Sequence, residues 1–142
     1  MVMKMNKYIL EEICKGMDMG VESIDAIYNH VTNHEMKYVL AKQKSDYLEA
    51  KNKAIQLAKA IPEETTQKKL ESTMAKMMIK MKTMMNDADD NIAQMMLQGS
   101  NMLLIELNKL KNDFHPKKEV MDFMDELLKT EQRHMDDLKP FL

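Results

Sequence analysis

The segment from residue 120 to residue 138 reads VMDFMDELLKTEQRHMDDL, and its apolar residues recur every three or four positions. This spacing is the repeat of one face of an α-helix with 3.6 residues per turn. The stripe consists of Val120, Met124, Leu127, Leu128, Glu131, Met135 and Leu138. Glu131 is therefore an acidic residue at a position that the pattern assigns to the core. Pro140 follows where the helix is expected to stop.

The same periodicity recurs in four earlier segments of the chain. The first predicted helix runs from about residue 4 to residue 31, and the second covers residues 36–61 and ends before Pro62. The third has an inner stripe at 70–85 that is almost entirely methionine, and the fourth is apolar around most of its girth over 92–110. Because the corners between them are short, we predict an all-α, up-down antiparallel bundle of four to five helices.

Composition sets the class of protein. A chain of 142 residues with 44% hydrophobic residues can bury one core, so we expect a single domain over residues 1–142. Three glycines and three prolines are too few for the turns of an all-β fold. The 21 basic and 23 acidic residues are interspersed, which argues against nucleic-acid binding. The single cysteine and the lack of a signal peptide or membrane-spanning apolar run predict a cytoplasmic protein without a membrane partner.

Polar residues interrupt the predicted apolar stripes at Gln43, Glu106 and Glu131. At 1.5 Å per residue, Gln43 lies ~15 Å and Glu131 ~12 Å from the same end of the bundle, whereas Glu106 lies ~10 Å below Glu131. Ser23 and Gln98 should share the upper level. We therefore predict a polar core layer of Gln43, Glu131, Ser23 and Gln98 in which Gln43 faces Glu131. A buried carboxylate needs such partners, or must keep its proton.

Two interpretations of this layer remain open. It is either a hydrogen-bonded layer that fixes helix register, as a buried Asn does in coiled coils, or a metal site. Glu131 and His134 form a Glu-x-x-His pair, which di-iron and di-manganese bundles use twice, so the pair could bind a divalent ion such as iron, manganese or zinc. The sequence has no second pair; the nearest substitutes are Asp46 with Glu49 and Asn91 with Gln94. Amides are poor ligands for such ions.

Other candidate sites are weaker. His30, His34 and His134 fall near one end and could hold zinc, but His30 lies roughly 120° from the core direction on a helical wheel, which favours surface histidines. The methionines keep core spacing, which favours packing over copper binding. No partners for catalysis can be assigned to Cys14, and nucleotide-binding motifs are absent, so we predict no catalytic residue.

Two stretches carry a family resemblance. Residues 79–87, IKMKTMMND, and 92–102, IAQMMLQGSNM, resemble a segment of an uncharacterised family of small helical bacterial proteins. Members of that family tend to carry His and Glu where this chain has Asn91 and Gln94. The helix count, the helix lengths and the carboxylate–histidine pair of the last helix resemble the ferritin-like bundle superfamily. That resemblance implies a ferritin-like shape and a metal site that the two amides leave degenerate.

These observations predict a non-catalytic binding or assembly module. Its partner would be another copy of the chain, as in a homo-oligomer, or another protein. The surface would be the fourth predicted helix, because it is apolar on nearly all sides, or the methionine-rich third. The alternative is a ferritin-like metal-binding protein with a partly degenerate carboxylate/histidine site.

Overall fold

The computed structural model describes residues 5–62 and 87–142, and these two ranges contain helices and no strand. The four helices are α1 (Asn6–Ile27), α2 (His34–Ala60), α3 (Asp89–Phe114) and α4 (Lys118–Leu138). Single 3₁₀ turns follow α1 at Tyr28–His30 and α4 at Lys139–Phe141. The prediction of an all-α bundle is confirmed. The predicted methionine stripe at 70–85 lies outside the described residues.

The helix ends follow the local sequence signals. The first helix is shorter than predicted, because the backbone tightens into a 3₁₀ turn at Tyr28 and becomes extended at Val31, with φ −74° and ψ 131°. Asn33 then caps α2, with its Oδ1 accepting a hydrogen bond from the backbone N–H of Met36 at 3.0 Å. At the other end of the bundle, His115 adopts the left-handed conformation (φ 44°) directly after α3, and Pro116 prevents the helix from resuming.

The helices pack as two hairpins. α1 lies mainly against α2 and α3 mainly against α4, with smaller contacts between α2 and α4 and between α1 and α3. The Asp89 carboxylate at the start of α3 accepts hydrogen bonds from Thr32 and Asn33, in the corner before α2, at 2.8–2.9 Å. Asn6 Oδ1 accepts one from the Lys117 N–H at 3.0 Å, so α1 and α4 begin together at the opposite end.

The core is aliphatic and methionine-rich. Fully buried side chains come from all four helices: Ile9, Leu10, Ile13, Met17, Ile24, Met36, Leu40, Ile92, Leu107, Met124 and Leu138. Tyr47 of α2 is 4% exposed and joins this core. Its ring lies against Gly20 of α1, where a Cβ would come within 2.6 Å of Tyr47 Cδ2. Glycine at position 20 therefore lets the ring approach the backbone of α1.

Replacing Gly20 with alanine is expected to destabilise the protein by about 1 kcal/mol. Alanine favours a helix by up to ~1 kcal/mol over glycine, but overpacking a core costs ~1–3 kcal/mol, and the added Cβ would meet the buried Tyr47 ring at 2.6 Å. Denaturant unfolding measures the difference. In a Tyr47→Leu background, which removes the ring, the same Gly20→Ala change should be neutral or stabilising. Equal losses in both backgrounds would show that the ring is not the obstacle.

A buried polar layer between α2, α3 and α4

Glu131 lies at the centre of the bundle, on the inner face of α4, with none of its surface exposed. Its Oε2 accepts a hydrogen bond from the Tyr47 hydroxyl at 3.2 Å. Tyr47 follows Gln43 by four residues on α2, so the two side chains leave the same face of that helix one turn apart. Gln43 is 1% exposed, and its Nε2 donates to the backbone carbonyl of His134 at 3.2 Å. Gln43 thus binds the main chain of α4 beside Glu131.

His134 lies one turn beyond Glu131 and is 1% exposed. Its Nε2 is 2.9 Å from Asp46 Oδ2, and its Nδ1 is 3.6 Å from Glu131 Oε1. Tyr47 packs edge-on against the imidazole, with the ring centroids 5.0 Å apart. The imidazole therefore lies between two carboxylates, one at each ring nitrogen.

Asp46 connects the layer to solvent. Its side chain is 22% exposed, and the Oδ2 that faces His134 also accepts a hydrogen bond from Arg133 Nη2 at 3.3 Å. With His134 protonated, the charges of Asp46, Glu131, Arg133 and His134 cancel. This balance matters because a buried charge without a counter-charge is costly.

The pKa values of the layer fit this charge assignment. Burial acts to lower the pKa of His134, but the negative charges of Glu131 and Asp46, together with the hydrogen bond to Asp46, outweigh it and raise the pKa above its ordinary value. Burial, followed by the charge of Glu131, raises the pKa of Tyr47 well above 10. Both shifts favour the protonated form of the group, the imidazolium of His134 and the hydroxyl of Tyr47.

Four buried polar atoms of the layer make no hydrogen bond to the described residues. They are Gln43 Oε1, Ser100 Oγ, Glu131 Oε1 and His134 Nδ1. The last two face each other at 3.6 Å, just beyond hydrogen-bonding distance, so a small contraction joins them. Ser100 of α3 is 3% exposed and lies near Tyr47. The layer thus includes side chains from α2, α3 and α4.

The predicted layer needs two corrections. Gln43 and Glu131 are both buried, but Gln43 donates to the His134 carbonyl, and the hydrogen-bond partner of Glu131 is Tyr47. Ser23 is half-buried on α1, and Gln98 is exposed. Residue 98 points about 200° away from residue 100 on a helix, and it is Ser100 that keeps the spacing of Met96 and Leu103. The stripe spacing could have identified Ser100, because it follows Met96 by four residues and precedes Leu103 by three.

The other polar and histidine residues that the sequence analysis singled out do not join the buried layer. Glu106 has a 15% exposed side chain and pairs with Lys109 at 3.7 Å, away from the layer. His30 is exposed and pairs with Asp87 at 3.0 Å, and His34 is also exposed. The predicted surface position is wrong for His134, which is buried because it follows Glu131 by three residues on the inner face of α4. The three histidines do not converge.

Metal coordination does not fit this geometry. Within residues 5–62 and 87–142, no group of three or more His, Cys, Asp or Glu side chains is arranged to hold a metal ion. Zinc requires its ligands within about 2.0–2.3 Å of one point. Asp46 and Glu131 instead lie at different nitrogens of His134, so both carboxylates cannot share an ion with one nitrogen. The layer is arranged to hold a proton-bearing imidazole.

Comparisons of the chain with protein-family models, with curated proteins and with solved structures find no match. Among the described helices, none has the length and apolar character needed to span a bilayer.

Proposed function

We propose that the protein is a non-catalytic binding and assembly module of the cytoplasm that works through the outer face of α3. This outer face consists of Gln94, Gln98, Asn101 and Ile105, all of them exposed and spaced by four, three and four residues. The proposal rests on the absence of charge along this part of α3, because residues 91–105 include no charged side chain in a chain with 31% charged residues.

The other helices present a different surface. The exposed residues of α4 include Glu119, Asp122, Glu126, Lys129 and Asp136. On α2, the exposed Leu48 has Lys44 and Lys51 within a turn, and these pair with Asp25 and Asp18. Centres of protein interfaces are depleted of charged residues. Ile105 is 44% exposed at the end of the uncharged stretch, one turn before Lys109, and this supports a binding role for α3.

The buried layer supports the non-catalytic part of the proposal. A general acid or base must come within hydrogen-bonding reach of the group that it serves. The side chains of Glu131 and His134 are almost fully buried. The other carboxylate beside His134, that of Asp46, is partly exposed and pairs with Arg133. These groups therefore stabilise the bundle.

The up-down, ferritin-like arrangement predicted from the sequence belongs to this proposal as its architecture. Support comes from the helix ends, since α1 and α4 begin at one end of the bundle and α2 and α3 at the other. These shared ends support an arrangement in which neighbouring helices run in opposite directions. The function is assigned to the α3 surface and not to the ferritin-like shape.

A photo-crosslinking amino acid introduced at Ile105, in cells that express the chain, tests the proposal. We expect a crosslinked protein product at position 105. Position 48 is the matched control, because Leu48 is exposed to the same 44% on a charged surface, and no product is expected there. The absence of a product at position 105, or equal products at both positions, would contradict a binding role for α3.

The metal-binding alternative has its own test. Protein purified without chelator is expected to contain iron, manganese and zinc far below one ion per chain, because the oxygens of Asp46 and Glu131 lie at different nitrogens of His134. Elemental analysis measures the content. A near-stoichiometric metal that disappears in the Glu131→Ala variant would support the ferritin-like alternative instead.

A further inference from the structure

We propose that a groove between α1 and α2 binds a single-chain carboxylate, such as a medium-chain fatty acid. Leu10 and Cys14 of α1 and Ile55 and Ala58 of α2 form the apolar part of this α1–α2 groove. Leu10 is buried and the other three are half-buried, so apolar surface remains open to solvent there. The volume of about 550 Å³ lies within the ~300–1,000 Å³ of small-molecule sites. The groove lies on other helices than the α3 surface and does not depend on its proposed role.

The α1–α2 groove is basic in an acidic chain. Lys7, Lys15 and Lys59 line it together with one acidic residue, Glu11. These four side chains carry a net charge of +2, whereas the whole chain carries −2. Lys15 also pairs with Glu12 at 3.1 Å, so its charge is partly neutralised already. The charge of the lining therefore favours an anionic ligand.

Two of the lysines lie at the same end of the groove. Two ion pairs set the register of α1 against α2: Asp18 with Lys51 and Asp25 with Lys44. Lys7 precedes Asp18 by 11 residues, and Lys59 follows Lys51 by eight. At 1.5 Å per residue, the two lysines are within about 5 Å of the same level. A carboxylate bound at this end is close to both ammonium groups, and its chain can lie along the apolar residues.

The dimensions of the groove favour a hydrocarbon chain over a peptide. From Lys7 to Lys15 the groove extends about 12 Å along α1. A volume of about 550 Å³ over that length corresponds to a width of about 7 Å, whereas an α-helix with its side chains is about 10–12 Å wide. An extended peptide would place backbone N–H and C=O groups against apolar side chains, which is costly. Methylene groups have no such groups to satisfy.

Two other occupants fit the charge less well. Residues 63–86 of this chain contain five lysines and three glutamates, so their net charge has the same sign as the groove lining. A second copy that met this groove across a two-fold axis would bring the lysines of both copies together. Like charges repel in both cases. A carboxylate supplies the opposite charge.

The thiol of Cys14 reports whether the groove is occupied, because it is the single cysteine of the chain and lines the groove. The rate at which iodoacetamide alkylates it is measured at about pH 8.5, since burial raises the pKa of this thiol. We expect decanoate to slow the reaction at least tenfold, with half of the effect below about 0.1 mM. Acetate, which lacks the chain, and decanol, which lacks the charge, should need at least tenfold higher concentrations.

A pair of charge-reversal variants tests the role of the lysines. Lys59→Glu should raise the decanoate concentration for half-maximal protection at least tenfold. Lys42→Glu is the matched control, because it makes the same charge change at an exposed position of α2 about 26 Å from Lys59 along the helix. It should leave that concentration unchanged. Circular dichroism should show that both variants fold.

Four outcomes would overturn the inference. The first two are equal protection by decanol and decanoate, and equal weakening by the two variants. The third is a rate that falls as the protein concentration rises without decanoate, which would assign the groove to a second copy. The fourth is a rate that decanoate leaves unchanged. If that unchanged rate is also far below the rate of the urea-unfolded chain, the groove is covered by the rest of this chain.

Discussion

Replacing Glu131 with alanine is expected to lower the free energy of unfolding by about 3–5 kcal/mol. The substitution removes the acceptor of the Tyr47 hydroxyl and one of the two carboxylates beside the His134 imidazole. It leaves a buried cation with Asp46 as its remaining acidic partner, and it opens a cavity in the core. Urea unfolding followed by circular dichroism measures the loss.

Glu126→Ala provides a control on the same helix. Glu126 pairs with Lys53 at 2.8 Å, as closely as any pair in the buried layer, but its side chain is 65% exposed. Exposed ion pairs contribute at most ~1 kcal/mol, so this substitution should have little effect. Similar losses for the two variants would mean that burial of Glu131 has no energetic consequence, and the layer would lose its assigned role.

The stability of the protein is expected to fall as the pH rises from about 6.5 to 8.5. An unfolded histidine titrates near pH 6.5. In the folded protein burial alone would lower the pKa of His134, but Glu131 and Asp46 outweigh burial and raise it. The protonated ring is thus bound more tightly in the folded state. Its stabilisation is fully present below pH 6.5 and is lost as the pH rises through the raised pKa, by at most ~1.4 kcal/mol per pH unit.

Unfolding free energies at several pH values measure this slope. His134→Gln should flatten it, whereas His34→Gln, which alters an exposed histidine, should leave it unchanged. The range stops at pH 8.5 because burial also raises the pKa of the Cys14 thiol, which would add a second decrease above that pH. A stability that rises with pH in the wild type, or a slope that persists without His134, would contradict a buried imidazolium.

Periodicity predicted the helices because every described helix buries one continuous stripe. Glu131 and Gln43 are buried for the same reason, since each occupies a stripe position. Gln98 is exposed because its side chain points away from the core at that position of α3. The position of a residue along the helix axis advances by 1.5 Å per residue, but the direction in which its side chain points rotates by 100° per residue. Ser100 satisfies both requirements.

The role of His134 could not be predicted from spacing. The sequence shows a carboxylate and an imidazole three residues apart, a pattern shared by metal sites and by structural ion pairs. What distinguishes them here is Asp46, 88 residues earlier in the chain, which lies at the second nitrogen of the ring. That contact depends on how α2 packs against α4. The position of the Tyr47 ring depends in turn on Gly20 of α1, whose missing side chain admits it.

The ring nitrogens of His134 offer the most direct test of the central claim, that the buried Glu-x-x-His pair is a structural ion pair. Nitrogen-15 NMR of histidine-labelled protein at neutral pH distinguishes a doubly protonated ring from a neutral tautomer and from a metal-bound ring. We predict that both Nδ1 and Nε2 of His134 carry protons, one directed at Glu131 and the other at Asp46. A single protonated nitrogen, or shifts that change when a chelator is added, would contradict this account.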